Sequence, residues 1–352
     1  FLKDIYIKVP ARICFFGDHQ DYLGLPVIAG TINRFITVYA KENNNNSFNI
    51  SMPDIKRKRI INIQNQILNV KQGDYFLSSI DILKKLGFNF HKGYDVVITG
   101  DIPVNAGLSS SSALVVAWIR FLIQIQEDSK KISNFQIGKW AHESEAIYFD
   151  QPGGLMDQYT IAHGGLVFID TEFAKVEKLP NNLGNLVVAE SGIKKETLNV
   201  LKKAREYAQN SIKSLLKKHP DFDIKSFKEE DYEKYKNLIP KKYQTYFYST
   251  IFNYIITLKA KSHILLNQIN FKFLAELMNE HQFILDNYIK NTPKKMAKMI
   301  LEANKSGALG SKIVGSGGGG CIVAMVEKKN ISKVIETFIK NGAVNAYEVK
   351  LI

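Results

Sequence analysis

With only Cys14 and Cys321 in 352 residues, the chain lacks the cysteines for a disulfide framework and the spacing for a cysteine metal site, which points to a reducing compartment. No apolar run is long enough to span a bilayer, and no secretory leader pattern follows Phe1, so a cytoplasmic protein without membrane attachment is expected. Acids are also scarce: 34 Asp and Glu against 47 Lys and Arg leave a net charge of +13. That excess invites a nucleic-acid reading. The lysines, however, are scattered or gathered around 202–243 with no interleaved aromatic platform, so no nucleic-acid partner is expected. A solvated basic surface also suits an anionic small molecule such as a nucleotide. A hydrophobic share of 45% and a length that favours two domains complete the outline of a globular protein.

What the sequence does contain is a concentrated small-residue stretch, Ile102 to Leu114, with four consecutive serines (Ser109 to Ser112) after Gly107. The β-branched run Tyr94–Thr99 leads in and the apolar run Ala113–Ile119 leads out. Strand, turn and helix in that order bring unpaired backbone N–H groups and a helix N-terminus to one point, which makes an anion site without metal or cationic side chains. One serine would suffice to cap the helix; four offer hydroxyls for phosphate or Mg²⁺ as well. The stretch lacks the terminal Lys-Ser/Thr of a Walker loop.

Two further stretches carry chemistry. Pro10 to Pro26 reads as a loop following a strand at 5–9, and packs Gly17, Asp18, His19, Asp21 and Tyr22 together. Carboxylates accept from hydroxyls and imidazole donates or accepts, so the cluster suits a hydroxyl-rich ligand; a polar turn with local caps fits the same residues. Near the other end, Lys312-Ile313-Val314 runs into Gly315-Ser316-Gly317-Gly318-Gly319-Gly320 and a strand at 321–326. Glycines there let backbone come close to a ligand or another loop, or make a flexible hairpin.

The remaining pattern predicts strands at 27–30, 35–40, two within 47–70, 164–170 and 185–191. Helices are expected at 76–87, 113–126, 133–148, 196–217, within 246–303, and at 331–341, with a last strand at 344–351. Asn43–Asn46 marks a loop tip and 218–245 a solvated surface segment. Strands and helices alternate irregularly, so the class is α+β in two lobes.

The three glycine- and serine-containing stretches, in this order, resemble the three motifs of the GHMP kinases, the group that includes galactokinase, homoserine kinase and mevalonate kinase. Residues 103–113 match Pro-x-x-x-Gly-Leu-x-Ser-Ser-x-Ala. Within the family the galactokinase branch is closest: Asp18-His19-Gln20-Asp21-Tyr22 stands where that branch carries Glu-His-Thr-Asp-Tyr. Gly154 to Gln158, Leu277 to His281 and Gly307 to Gly310 are also galactokinase-like. Asp18 and Gln20 depart from the pattern where sugar hydroxyls are read, which leaves a sugar other than galactose open.

The resemblance implies a ribosomal protein S5 domain 2-like N-terminal domain (1–184) that binds ATP and a ferredoxin-like C-terminal domain (185–352). It implies an ATP- and Mg²⁺-dependent kinase acting on a monosaccharide hydroxyl, the anomeric one as in galactokinases. Asp157 would accept or orient the hydroxyl proton with Arg12 beside it; both together hold charge in a phosphoryl transfer. Asp18, His19, Asp21, Gly153 and Gly154 would hold the sugar. Pro103, Asn105, Ala106, Gly107, Leu108, Ser109, Ser110, Ser111 and Ser112, with Gly317, Gly318 and Gly319, would hold ATP. Ser111 and Glu145 would ligate Mg²⁺, with Ser110 and Glu143 as neighbouring alternatives. Without the resemblance, Glu143 and Glu145 read better as an exposed helix face, and Asp157 reads as a helix N-cap, a role that can coexist with the catalytic one. Alternatives in substrate are a heptose phosphate, a uronic acid or mevalonate. A catalytically silent sugar sensor is a third reading, weakened by the presence of Asp157, Arg12 and the serines.

Overall fold

The computed structural model describes residues 4–126, 131–194 and 197–352. The first half runs β1 (Ile5–Phe16), β2 (Val27–Asn43), β3 (Ser47–Met52), β4 (Arg57–Asn62), α1 (Tyr75–Lys85), β5 (Gly93–Gly100), α2 (Ser110–Gln124), α3 (Asn134–Glu145), α4 (Met156–His163), β6 (Leu166–Asp170) and β7 (Lys175–Lys178). The strands form one seven-stranded sheet in the order β4-β3-β5-β2-β6-β7, with β1 paired antiparallel to β2 off that path. Among the described residues, only β3 and β5 run parallel in this sheet. α1 starts on an Asp74 cap that Arg59 grips with two hydrogen bonds, and α3 starts on a Ser133–Gln136 capping box.

The second half continues with β8 (Asn185–Glu190), α5 (Thr197–Leu216), α6 (Tyr232–Lys236), α7 (Lys241–Ile264), α8 (Phe271–Ile284), α9 (Lys294–Ser306), β9 (Ala308–Ile313), β10 (Cys321–Val326), α10 (Ile331–Lys340) and β11 (Asn345–Val349). Its four strands make an antiparallel sheet ordered β11-β8-β10-β9. Buried residues of both sheets (Ile13, Val188 and Val323 among them) and of the helices packed on them (Trp118 of α2, Met278 of α8) belong to one continuous core. The C-terminal residues also return to the first sheet, where Ile352 donates to Thr31 O at 3.1 Å and accepts from Gly165 N at 2.9 Å.

The expected elements are largely present, with instructive differences. Residues 10–16 are not loop but the second half of β1, whose side chains from Ala11 to Phe16 are all buried; the polar loop begins at Gly17. The expected strands 27–30 and 35–40 are one long strand, β2, which a register shift opposite Pro10/Ala11 carries through the middle. α2 begins at Ser110, three residues before the apolar run, so three serines lie in its first turn. Residues 218–245 are not simply solvated: Phe227 and Ile239 pack with Leu215, Phe247 and Ile251 into a small core of their own. Strands β7 and β9 were not expected; Lys175–Lys178 is a polar edge strand and Ala308–Ile313 opens on small residues. Glu196, first in the expected helix 196–217, lies outside the described residues.

Candidate active site

Asn105, Gly107 and Ser109 all have left-handed φ (55°, 88° and 58°). Alternating left- and right-handed residues turn successive N–H groups inward, and here they do so at the start of α2, whose first-turn N–H groups have no partner within the helix. Ser109 occupies the helix N-cap position but makes no cap hydrogen bond. It donates instead to Asp157 Oδ2 at 2.6 Å.

Arg12, buried on β1, joins the same point. Its Nε and Nη2 lie 2.8 and 2.7 Å from Asp157 Oδ1, and Nη1 donates to Gly107 O at 2.7 Å. Burial opposes the Arg12 charge, but the neighbouring Asp157 carboxylate more than offsets it and holds the guanidinium protonated. Asp157 itself lies in the first turn of α4, after the cap residue Leu155, so it is not the N-cap.

Loop 17–24 brings a second carboxylate alongside. Asp21 accepts from Tyr22 N at 3.0 Å and from the Met156 amide at the head of α4. It presses on Gly154, where any Cβ would collide with its carboxylate. Burial, and then the charge of Asp157, raise the Asp21 pKa to about 6. A Cβ at Gly153, by contrast, would meet nothing within 4 Å.

Asp18 and His19 have protein partners. Asp18, 2% exposed, is paired with Lys312 Nζ at 2.6 Å, and the ammonium also donates to Cys14 O and Ile313 O. Burial opposes the Asp18 charge and Lys312 outweighs it, so the pKa falls. The His19 ring reaches Ser316 O with Nε2 at 2.9 Å and Tyr22 Oη with Nδ1 at 3.0 Å. Thus Asp21 lies beside Asp157, whereas Asp18 and His19 fasten the loop to the second half of the chain.

Glu145, 8% exposed, closes the other side of the serine turn. Burial raises its pKa against hydrogen bonds from Ser111, Ser112 and Gln158, the last at 2.7 Å. Glu143 is part-exposed near Lys139. No group of three or more His, Cys, Asp or Glu side chains suited to a metal occurs among the described residues.

The glycine loop approaches protein backbone. Cys321 N donates to Ala106 O at 2.7 Å, and a Cβ on Gly320 would lie 2.6 Å from that oxygen. Gly318 N donates to Asn291 O at 2.6 Å, and Gly320 N to Ile193 O at 3.0 Å. The second of the roles open to these glycines, close approach to another loop, is therefore visible. The cysteines are buried, as small apolar residues would be.

Sequence reasoning missed Lys312, Gln158 and Asn291. A lysine inside an otherwise buried strand before the glycines was a usable signal. Asn291, before Thr292-Pro293, reads only as a turn.

Residues 74–165 match the family model described as GHMP kinases N terminal domain, and 263–344 match GHMP kinases C terminal. The chain belongs to the GHMP kinase family. The N-terminal match holds the serine turn, Glu145 and Asp157, and the C-terminal match holds Asn291, Lys312 and the glycine loop. Among relatives, this GHMP kinase is 28% identical to a mevalonate kinase of Thermococcus gammatolerans (96% of this chain, 94% of the relative). It is 27% identical to a galactokinase of Clostridium tetani (92% and 84%). Its fold is that of Lactococcus lactis galactokinase solved with galactose, with a TM-score of 0.87, 20% identity, and coverage of 99% of this chain and 94% of that one. The two-lobed α+β architecture follows from the family.

Proposed function

We propose that this kinase transfers the γ-phosphoryl group of ATP to a hydroxyl of a neutral monosaccharide, the anomeric one. The observation that carries this is the pair Asp157 and Asp21, brought together by Tyr22, Gly154 and Met156 at the mouth of the serine turn. One carboxylate orients the acceptor hydroxyl and takes up its proton, and the second accepts from a neighbouring hydroxyl. Arg12 holds Asp157 in place and faces the transferring phosphoryl with positive charge. The amides of 106–112 and the α2 N-terminus cradle the phosphates. Gly317, Gly318 and Gly319 support the phosphate-side loop. We place residues 1–184 and 185–352 as the two domains of the chain.

Glu145 fits a Mg²⁺ ligand. It is a buried carboxylate partnered by hydroxyls and an amide, with no Lys or Arg paired to it among the described residues. Ser111 stands within its hydrogen-bonding reach, so Ser111 and Glu145 are a better set than Ser110 and Glu143. Mg²⁺, when bound, supplies charge neutralisation to the phosphate oxygens.

A mevalonate substrate has the support of the mevalonate kinase relatives. Against it, the acceptor side presents two carboxylates, and the buried cation beside them, Arg12, is already paired with Asp157. A carboxylate-bearing substrate would be repelled there. Phosphorus NMR of the product tests the assignment: a sugar 1-phosphate is expected, and a phosphate on a primary hydroxyl would overturn the anomeric assignment.

A further inference from the structure

Where α8 ends, the chain widens into a single π turn, Leu285–Ile289, and Lys290 then adopts a left-handed φ of 59°. Such turns add a residue without ending the helix and re-aim the next stretch of chain. Here they deliver Asn291, 4% exposed, into the gap between two loops distant in sequence. Its backbone O accepts from Gly318 N at 2.6 Å. Its Nδ2 donates to Ser316 O at 3.0 Å and lies 3.0 Å from His19 Nε2.

Ser316 O can only accept, so it takes N–H from both Asn291 and His19. That assigns the His19 proton to Nε2 and leaves Nδ1 to accept from Tyr22 Oη. His19 needs this hold: its φ of 65° is a strained backbone for a side chain of its size, stable only where its surroundings over-determine it. Gly317 is glycine for the same reason, since a Cβ would lie 2.6 Å from Asn291 Nδ2 and 2.7 Å from its O. The linkage then continues through Cys321 N to Ala106 O of the serine turn.

We propose that Asn291 is a positioning residue that locks loop 17–24 to glycine loop 315–320, so that nucleotide bound on one side orders the acceptor-binding loop on the other. This rests on the proposed function, in which 315–320 borders the nucleotide and 17–24 the acceptor. The two loops share no covalent neighbour. Asn291 supplies a backbone acceptor to one and a side-chain donor to the carbonyl that holds the other. An aspartate would set a carboxylate against Ser316 O, and an alanine would remove the Asn291 donor from the carbonyl that holds His19.

The test is hydrogen exchange with and without Mg²⁺ and a non-hydrolysable ATP analogue, on the full chain. In the natural protein the analogue is expected to slow exchange at 106–112, 315–320 and also 17–24. In Asn291→Ala, protection at 106–112 remains, protection at 17–24 falls by about tenfold, and acceptor KM rises more than ATP KM. Asn291→Asp, which keeps the side-chain volume and the bond to Gly318, should lose the same coupling and guards against a variant that simply folds poorly. Unchanged protection of 17–24 in either folded variant overturns the proposal. If the analogue protects neither 106–112 nor 315–320 in the natural protein, the nucleotide reading fails and the proposal with it.

Discussion

Ser109 stands at the N-cap of α2 yet gives its hydroxyl proton to Asp157, 2.6 Å away, and not to its own helix. A residue placed for stability is thus engaged at the reacting end of the site. Loss of an N-cap hydroxyl ordinarily costs about 1 kcal/mol. Ser109→Ala is therefore expected to lower kcat by about tenfold, since Asp157 loses a side-chain partner, while thermal unfolding shifts little. A lowered melting temperature with normal kcat would return Ser109 to a capping role.

Asp157→Asn keeps an acceptor oxygen for Arg12, turns the atom facing Ser109 into an N–H donor, and removes the basic carboxylate. Its kcat should fall by about 10²–10⁴ with the acceptor KM nearly unchanged. Steady-state kinetics on folded protein, verified by circular dichroism, decide this; near-normal kcat would remove Asp157 from the proton-accepting role.

The Asp21 carboxyl, raised from an ordinary 3.8 to about 6, favours the protonated form in the folded state. Its contribution to stability is therefore full below about pH 4 and is lost as pH rises through 6, a cost of order 3 kcal/mol at pH 7. Asp21→Asn should remove that dependence. The natural protein and the variant should diverge in thermal stability between pH 4 and 7, the variant becoming relatively more stable with rising pH. Parallel stability curves would show that the carboxylate is not held as described.

Asp18 and Lys312 form a buried ion pair, both nearly inaccessible. Lys312→Met strands a buried carboxylate and should destabilise by about 3–5 kcal/mol, whereas Asp18→Asn combined with Lys312→Met should recover much of that loss. Denaturant unfolding of these two variants and of Asp18→Asn alone measures the coupling. Additive effects would mean that the pair is not energetically linked.

Ser111→Ala should raise the Mg²⁺ concentration needed for half-maximal rate and leave acceptor KM alone. An unchanged metal requirement would move the ligand to Ser110 or elsewhere.

How much of this could be read from residues alone differs by site. The serine turn was legible because the N–H-rich geometry follows from local order: strand, small residues, helix. The long-range partners were not. Pairing Ser109 with Asp157, or Asp21 with Gly154, depends on α4 folding back across the sheet, which no local period encodes. Residues 10–16 read as loop because β1 is buried along one half on both faces and so loses the alternation that marks a half-exposed strand. For Asp18 and His19 the residue types suggested hydroxyl binding, but their partners, Lys312 and Ser316, lie some 300 positions away in sequence. Glu145 shows the opposite case: its helix face looked solvent-exposed until Gln158 and the serines were seen to cover it.

Everything proposed for the acceptor side turns on a neutral monosaccharide as substrate. The most direct measurement is a coupled ADP-release screen with Mg²⁺ and ATP over free monosaccharides, uronic acids, heptose phosphates and mevalonate, with Asp157→Asn in parallel. Turnover is expected with one or a few neutral monosaccharides and should collapse in the variant. Turnover with mevalonate or a sugar acid and none with neutral sugars would contradict the proposed function.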